Sequence, residues 1–307
     1  MPFILGDIFY FLIAIWLVWK LVKHIVLLIK RDITKKIVFQ KILTLILRLA
    51  FVYIIFYLFW GINYDRKGIA YQLQLKPAIY DTTDLLQIQN LLLQKVNATK
   101  MALIKKDESY PSTEVLVKKA KRAYDEAQTK FPFLNFSFIS VKSSFYGRLG
   151  DYLGFTGYYN PFTGEAQINT TVPKMLQPYI ATHEMAHQLG YAKENEANFV
   201  GYLAAVNSTD TLFHYSTYLD LFLYTNRDVY FFDSVRSQKS INQLILPVKQ
   251  DLQKLKQFDL EYQSVLEPFI TWMYGYYLKL NNQPRGIHSY NAVVGMLIAY
   301  YKKYGKI

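Results

Sequence analysis

Ile180-Ala181-Thr182-His183-Glu184-Met185-Ala186-His187-Gln188-Leu189-Gly190 is the stretch on which the reading of this chain turns. Two of the five histidines stand in it, four residues apart. Pro178 suits the first turn of a helix and Gly190 suits its end, so the segment between them is expected to be helical. On a helix, positions i and i+4 share a face one turn apart. Both imidazoles can then reach one ion at the distance of about 2.0–2.1 Å that tetrahedral zinc requires. Glu184 lies one step round, beside the ion rather than on it, where a carboxylate can take a proton from a metal-bound water. This is the His-Glu-x-x-His pattern with its chemistry attached. Ile180, Ala181, Met185, Ala186 and Leu189 make the surroundings apolar. A His pair and a carboxylate buried there would be costly with no ion to satisfy them. The chain has no cysteine, so any metal must rest on His, Asp or Glu.

A catalytic zinc takes three protein ligands and keeps one position open. Working outward from His187, Gly190 lets the chain reverse, and Glu194-Asn195-Glu196-Ala197-Asn198-Phe199 opens a second helix. Glu194 and Asn198 are i and i+4 and share a face. Glu194 can ligate while the Asn198 amide orients a ligand imidazole from behind. Glu196 is the alternative ligand, because an irregular 191–195 would re-aim the helix. Helix-face spacing favours Glu194.

The first sixty residues obey a different solvent. Ile8 to Trp19 carries no charge, and Asp7 alone interrupts the run from Met1; Pro2 to Val22 is long enough to cross a bilayer. A second apolar run, Ile42 to Ile62, is broken only by Arg48 and ends in Tyr57, Trp60 and Tyr64, an interfacial aromatic belt. Residues 1–60 hold eight Lys and Arg against two Asp, half of the formal excess of +12. Most lie between the two runs, from Lys23 to Lys41, so topology accounts for the charge and no nucleic-acid partner is expected. The positive-inside rule puts that loop in the cytoplasm and everything after about Tyr64 outside it.

Beyond the hairpin, Asp84–Val96 and Thr113–Lys130 have helical spacing, with Ser112 as an N-cap for the second. Asn135–Val141 alternates like a strand, and Asn160-Pro161-Phe162-Thr163-Gly164 is a turn leading to a strand from Glu165 to Thr171. A small sheet of two to four strands is expected. After Pro173 the chain is helical, with segments at Leu212–Tyr224, Ser240–Phe258, Leu260–Leu280 and Ser289–Tyr304.

His183-Glu184-x-x-His187 followed by Glu194-x-x-Ala197-Asn198 resembles the gluzincin class of zincin metallopeptidases. More narrowly, the chain resembles the DUF3810 membrane proteins of Bacteroidetes. That resemblance rests on Pro2-Phe3 through Gly6-Asp7, Trp60-Gly61-x-Asn63-Tyr64-x-Arg66, and Gly157-Tyr158-Tyr159-x-Pro161-Phe162-x-Gly164-Glu165-Ala166. It continues through the His-Glu-x-x-His motif to Ala197-Asn198-Phe199 and covers nearly the whole chain. Members of that family usually begin with a further hydrophobic helix before the Pro-Phe segment, which implies a shortened version or a late start site here. The resemblance implies a zincin-like fold. An edge strand that pairs with extended substrate is then expected, and Glu165-Ala166-Gln167-Ile168-Asn169 is the candidate. A donor opposite the general base is also expected, with His288 or Tyr290 available.

The expectation is an α+β, mostly helical chain. Residues 1–63 form a transmembrane hairpin with a basic cytoplasmic loop. Residues 64–307 form a zincin-like domain on the far side of a bacterial inner membrane, in the periplasm. One Zn2+ sits on His183, His187 and Glu194, and Glu184 is the base for hydrolysis of a peptide or protein substrate in the cell envelope. The competing expectation is a non-catalytic envelope scaffold or sensor on the same fold.

Overall fold

The computed structural model describes residues 4–29, 34–76, 80–107, 109–136, 138–289 and 292–307. Pro2-Phe3, the Lys30-Arg31-Asp32 part of the basic loop and the candidate donor Tyr290 lie outside the described residues.

Two apolar stretches without an interior proline become two helices of 25 residues each, α1 (Leu5–Ile29) and α2 (Lys35–Phe59). At 1.5 Å per residue each is about 37 Å long, more than a bilayer's hydrocarbon core. Both are long and apolar enough to cross a membrane. The second starts at Lys35 rather than Ile42, because Thr34 caps it by accepting from the Ile37 N–H at 3.4 Å. Neither helix hides its apolar surface: Leu12 is 59%, Leu47 62% and Phe51 65% exposed. A helix from a water-soluble core would bury such side chains.

The hairpin touches the rest of the chain at the two ends remote from its loop. At the start of α1, the Gly6 N–H donates to Glu165 Oε2 at 2.6 Å. Asp7, the acid that interrupts the apolar run, is 1% exposed and accepts from the Phe145 N–H and from the Ser144 and Tyr158 hydroxyls. It is therefore an anchor rather than a flaw in the span. At the end of α2, Trp60 and the Tyr64 of a 3-10 turn (Gly61–Asp65) bury against Ala192, with Phe56 and Tyr159 beside them.

The remainder is mostly helical: α3 (Ile69–Gln72), α4 (Thr82–Lys105) and α5 (Thr113–Ala127) precede a small sheet, and α6 (Gly147–Leu153) is threaded into it. The sheet is formed by β1 (Val141–Ser143), β2 (Gly157–Asn160) and β3 (Glu165–Ile168). Then follow α7 (Gln177–Gln188), α8 (Glu194–Asn207), α9 (Thr211–Tyr230), α10 (Ser234–Asn242), α11 (Leu246–Glu261), α12 (Glu267–Leu280) and α13 (Ala292–Tyr304). The core lies where α7 packs on α8 and α9, α4 on α9, and α5 on α8. Phe199, Tyr202, Phe213 and Phe222 fill it with no exposed surface. Each contributes about 1.5–3 kcal/mol by leaving water. α5 keeps the solvated face its Lys-rich pattern implies, laced with i,i+4 pairs such as Lys118–Glu114 and Arg122–Glu126.

Several expected boundaries shift, three of them by more than trimming or extending an end. The strand expected at 135–141 begins only at Val141, and Phe138 in the alternating run is 72% exposed. The segment Ser240–Phe258 is two helices, because Pro247 opens the second and cannot continue the first. Pro268 does the same to Leu260–Leu280, which becomes the end of α11 and a separate α12. The sheet carries a larger correction. Its order is β1-β3-β2, with β1 parallel and β2 antiparallel to β3. Glu165–Asn169 is thus not an edge. Both sides of β3 already have partners, and Glu165 to Ile168 are all buried. The strand next to the cleft is β2.

Candidate metal centre

α7 is held in place from three sides before any ion is considered. The Tyr124 hydroxyl donates to Thr182 O at 2.6 Å, and the Tyr179 hydroxyl donates to Asn198 O at 2.8 Å. At its end Gly190 turns the chain at φ 88°, a left-handed conformation, with its N–H on His187 O at 2.8 Å. Arg66 completes the corner: Nη1 accepts no Cβ there, since one on Gly190 would lie 2.8 Å away, and it donates to Leu189 O at 2.9 Å. The Arg66 guanidinium also covers the Tyr191 ring at 5.2 Å. The Trp60-to-Arg66 run therefore locks the corner between α7 and α8.

The corner brings the histidines and the second helix together. His183 Nε2 lies 3.4 Å and His187 Nε2 3.5 Å from Glu194 Oε2. The three ligand atoms fall within 4.8 Å of one another, and all three residues are buried. The far side of each ring is occupied. His183 Nδ1 meets Asn198 Oδ1 at 2.7 Å, and His187 Nδ1 meets Tyr191 O at 2.7 Å. A carbonyl only accepts, so His187 donates from Nδ1, and Nε2 is the nitrogen left facing Glu194, able to ligate once it gives up its own proton. Glu194 Oε2 is buried without a hydrogen bond, while Oε1 accepts from the Tyr274 hydroxyl at 2.7 Å. Two imidazole Nε2 atoms and a carboxylate oxygen without a hydrogen bond, converging on one point, are the donor set a divalent cation takes.

Without a cation the histidines themselves compensate the Glu194 charge, and a metal ion would take the place of the imidazole proton. Burial works against the Glu194 charge, yet His187 and His183 hold its carboxyl well below the usual range. Burial would lower His187, but the Glu194 carboxylate outweighs it and pushes the imidazole up to about 9. Glu184 goes the other way: burial raises its carboxyl, with the two histidines opposing. Its Oε2 is buried and has no hydrogen bond.

Glu196 is not in the cluster. It faces Gly68 and stands 4.0 Å from Lys193 Nζ, and burial pushes its carboxyl up. Asn198 takes the place expected of it behind His183. Asn198→Ala should weaken zinc binding by about 10–100-fold, read by competition with a chromophoric chelator; unchanged affinity would separate this amide from the site. His288 is exposed in the 3-10 turn Gly286–Ser289 and does not line the cleft.

A cleft of about 670 Å³ opens above the cluster. Its walls are β2, the ends of the hairpin (Tyr10, Phe56, Trp60), Tyr224 and Arg227 of α9, and one face of α12 with Ile270, Thr271, Tyr274 and Tyr277. Neither α12 nor the hairpin ends are expected from the motif. The only sequence signal for Tyr274 and Tyr277 is their i,i+3 spacing, lost among 27 tyrosines. β2 approaches Glu184 so closely that a Cβ on Gly157 would lie 2.5 Å from Glu184 Oε1 and 2.8 Å from Gln167 O. Gly157→Ala is therefore expected to displace Glu184 and lower any turnover by about 10-fold or more, with zinc affinity kept within about threefold. Wild-type turnover would show that β2 does not set the position of Glu184.

No curated protein and no solved structure matches the chain significantly. A family of proteins of unknown function, DUF3810, matches residues 1–298, and the chain belongs to that family.

Proposed function

We propose that the chain is a membrane-anchored, zinc-dependent metallopeptidase of zincin type. The observation that carries the reading is the convergence of His183 Nε2, His187 Nε2 and Glu194 Oε2, with both imidazoles held from behind and Glu184 one position away. Zinc held there would polarise a scissile carbonyl and lower the pKa of a water to about 7. The chain's own residues do the rest. Glu184, raised by burial, takes the proton of the attacking water and returns it to the leaving amine. The β2 edge and the aromatic walls orient an extended peptide across the cleft. Tyr274 fixes Glu194 through Oε1 and leaves Oε2 for the ion.

The anchor is the α1–α2 hairpin in the lipid bilayer. Both ends that meet the domain are remote from the basic loop, so a cytoplasmic loop places the domain outside the cytoplasm, at a bacterial inner membrane. The substrate is then a peptide or protein of the cell envelope. A non-catalytic scaffold would have no use for a buried carboxylate beside the ligands with an oxygen left unpaired.

The test is cleavage of a quenched-fluorescent peptide library by the full chain in detergent. Turnover should be abolished by 1,10-phenanthroline and restored by zinc. A zinc-loaded chain that cleaves no member of the library would favour the scaffold.

A further inference from the structure

α12 has two unlike faces. One closes the cleft: the Tyr274 hydroxyl donates to Glu194, Tyr277 meets the Tyr64 hydroxyl at 3.1 Å, and Ile270 lines the wall. The other carries Leu266, Phe269, Trp272, Met273, Tyr276 and Leu280, all exposed, with Trp272 at 65% and Phe269 at 56%. These positions follow the i, i+3, i+4, i+7 spacing of one helix face. No charge falls among them; the helix's Glu267 and Lys279 sit in its first and last turns. So large an apolar face calls for a partner.

The position of the helix says which. Phe56, in the last turns of α2, meets the Tyr277 ring at 6.4 Å, and Asn282 just after α12 donates to Asp65 at 2.7 Å. The C-terminal end of α12 thus lies beside the end of a helix long and apolar enough to cross a membrane, where Leu58 is 68% and Phe59 64% exposed. Trp and Tyr among aliphatic side chains suit the zone where acyl chains meet headgroups. Lys279 at the end can extend toward the headgroups.

We infer that α12 lies in the headgroup–acyl boundary of the bilayer crossed by the hairpin, as a third membrane contact through which the metal cleft opens at the membrane surface. This rests on reading the hairpin as the anchor. The substrate class follows: a peptide segment held at the bilayer surface, such as the juxtamembrane stretch of another membrane protein. Because α12 also carries Tyr274, the bilayer bears on a helix in contact with Glu194.

The chain has no cysteine, so single spin labels can be placed cleanly. Labels would replace Phe269, Trp272 and Tyr276 in α12, Leu12 and Leu47 in the hairpin, and Lys118 on the solvated face of α5. The full chain would be in phosphatidylethanolamine–phosphatidylglycerol nanodiscs, and each label's collision rates with oxygen and with a water-soluble nickel chelate would be compared. The α12 labels should favour oxygen over nickel by several-fold relative to Lys118, approaching the hairpin labels. If the hairpin labels favour oxygen and the α12 labels match Lys118, α12 is in water and the inference falls alone. If the α12 labels are shielded from both agents, a protein surface such as a second copy covers them, and the inference also falls. If the hairpin labels themselves read as water, the anchor fails and this inference with it.

Discussion

Glu184→Gln is expected to leave zinc binding intact and to reduce peptide turnover by about 10²–10⁴-fold. The amide has the shape of the carboxylate, so the neighbours Gly157 and the two histidines keep their places. Glu184 is not among the three converging ligand atoms, so removing its charge does not dismantle the cluster. Nor is the fold the casualty: burial already disfavours this charge. What disappears is the group proposed to accept the proton. A fall in turnover explained by lost zinc would make Glu184 a ligand instead of a base. Activity equal to the parent would remove it from the chemistry.

Glu194→Ala has the second large effect, on the ion. Taking one of three ligands away should cost more than the roughly 10–100-fold carried by an outer hydrogen-bond partner. It leaves two histidines without the Glu194 oxygen on which their Nε2 atoms converge. In the parent, zinc at a hundredfold excess over its Kd should add about 2.7 kcal/mol to stability. That increment, read as a zinc-dependent rise in melting temperature, should vanish in Glu194→Ala and persist in Glu196→Ala. The opposite pattern would transfer the ligand role to Glu196 and imply that the 191–195 corner turns differently.

The centre was the most legible part of the chain, because its spacing is its geometry. A spacing of four positions between the histidines gives one helix face, Gly190 gives the corner, and Glu194 with Asn198 gives the facing helix. The hairpin was legible for a cruder reason, the length of its apolar runs. What escaped is set by tertiary pairing. Nothing in Glu165–Ile168 says that β1 pairs on one side and β2 on the other, so an edge was expected where the sheet has its centre. Gly157 reads as an ordinary strand residue until Glu184 is seen against it. Asp7 reads as a blemish in an apolar run until its hydrogen bonds are known. Pro247 and Pro268 do carry a local signal, but the apolar periodicity across them is strong enough to mask it. α12 illustrates the rest: both of its faces are apolar and aromatic, so periodicity alone does not distinguish the wall of a cleft from an exposed apolar surface.

The account rests on three side chains forming one cation site, and the most direct measurement is the metal content of the full chain, purified in detergent without chelator and equilibrated with zinc. One tightly held zinc per chain, lost in His183→Ala, His187→Ala and Glu194→Ala, is the predicted result. A folded chain that takes up no zinc, or that keeps it when those three side chains are replaced, would contradict it.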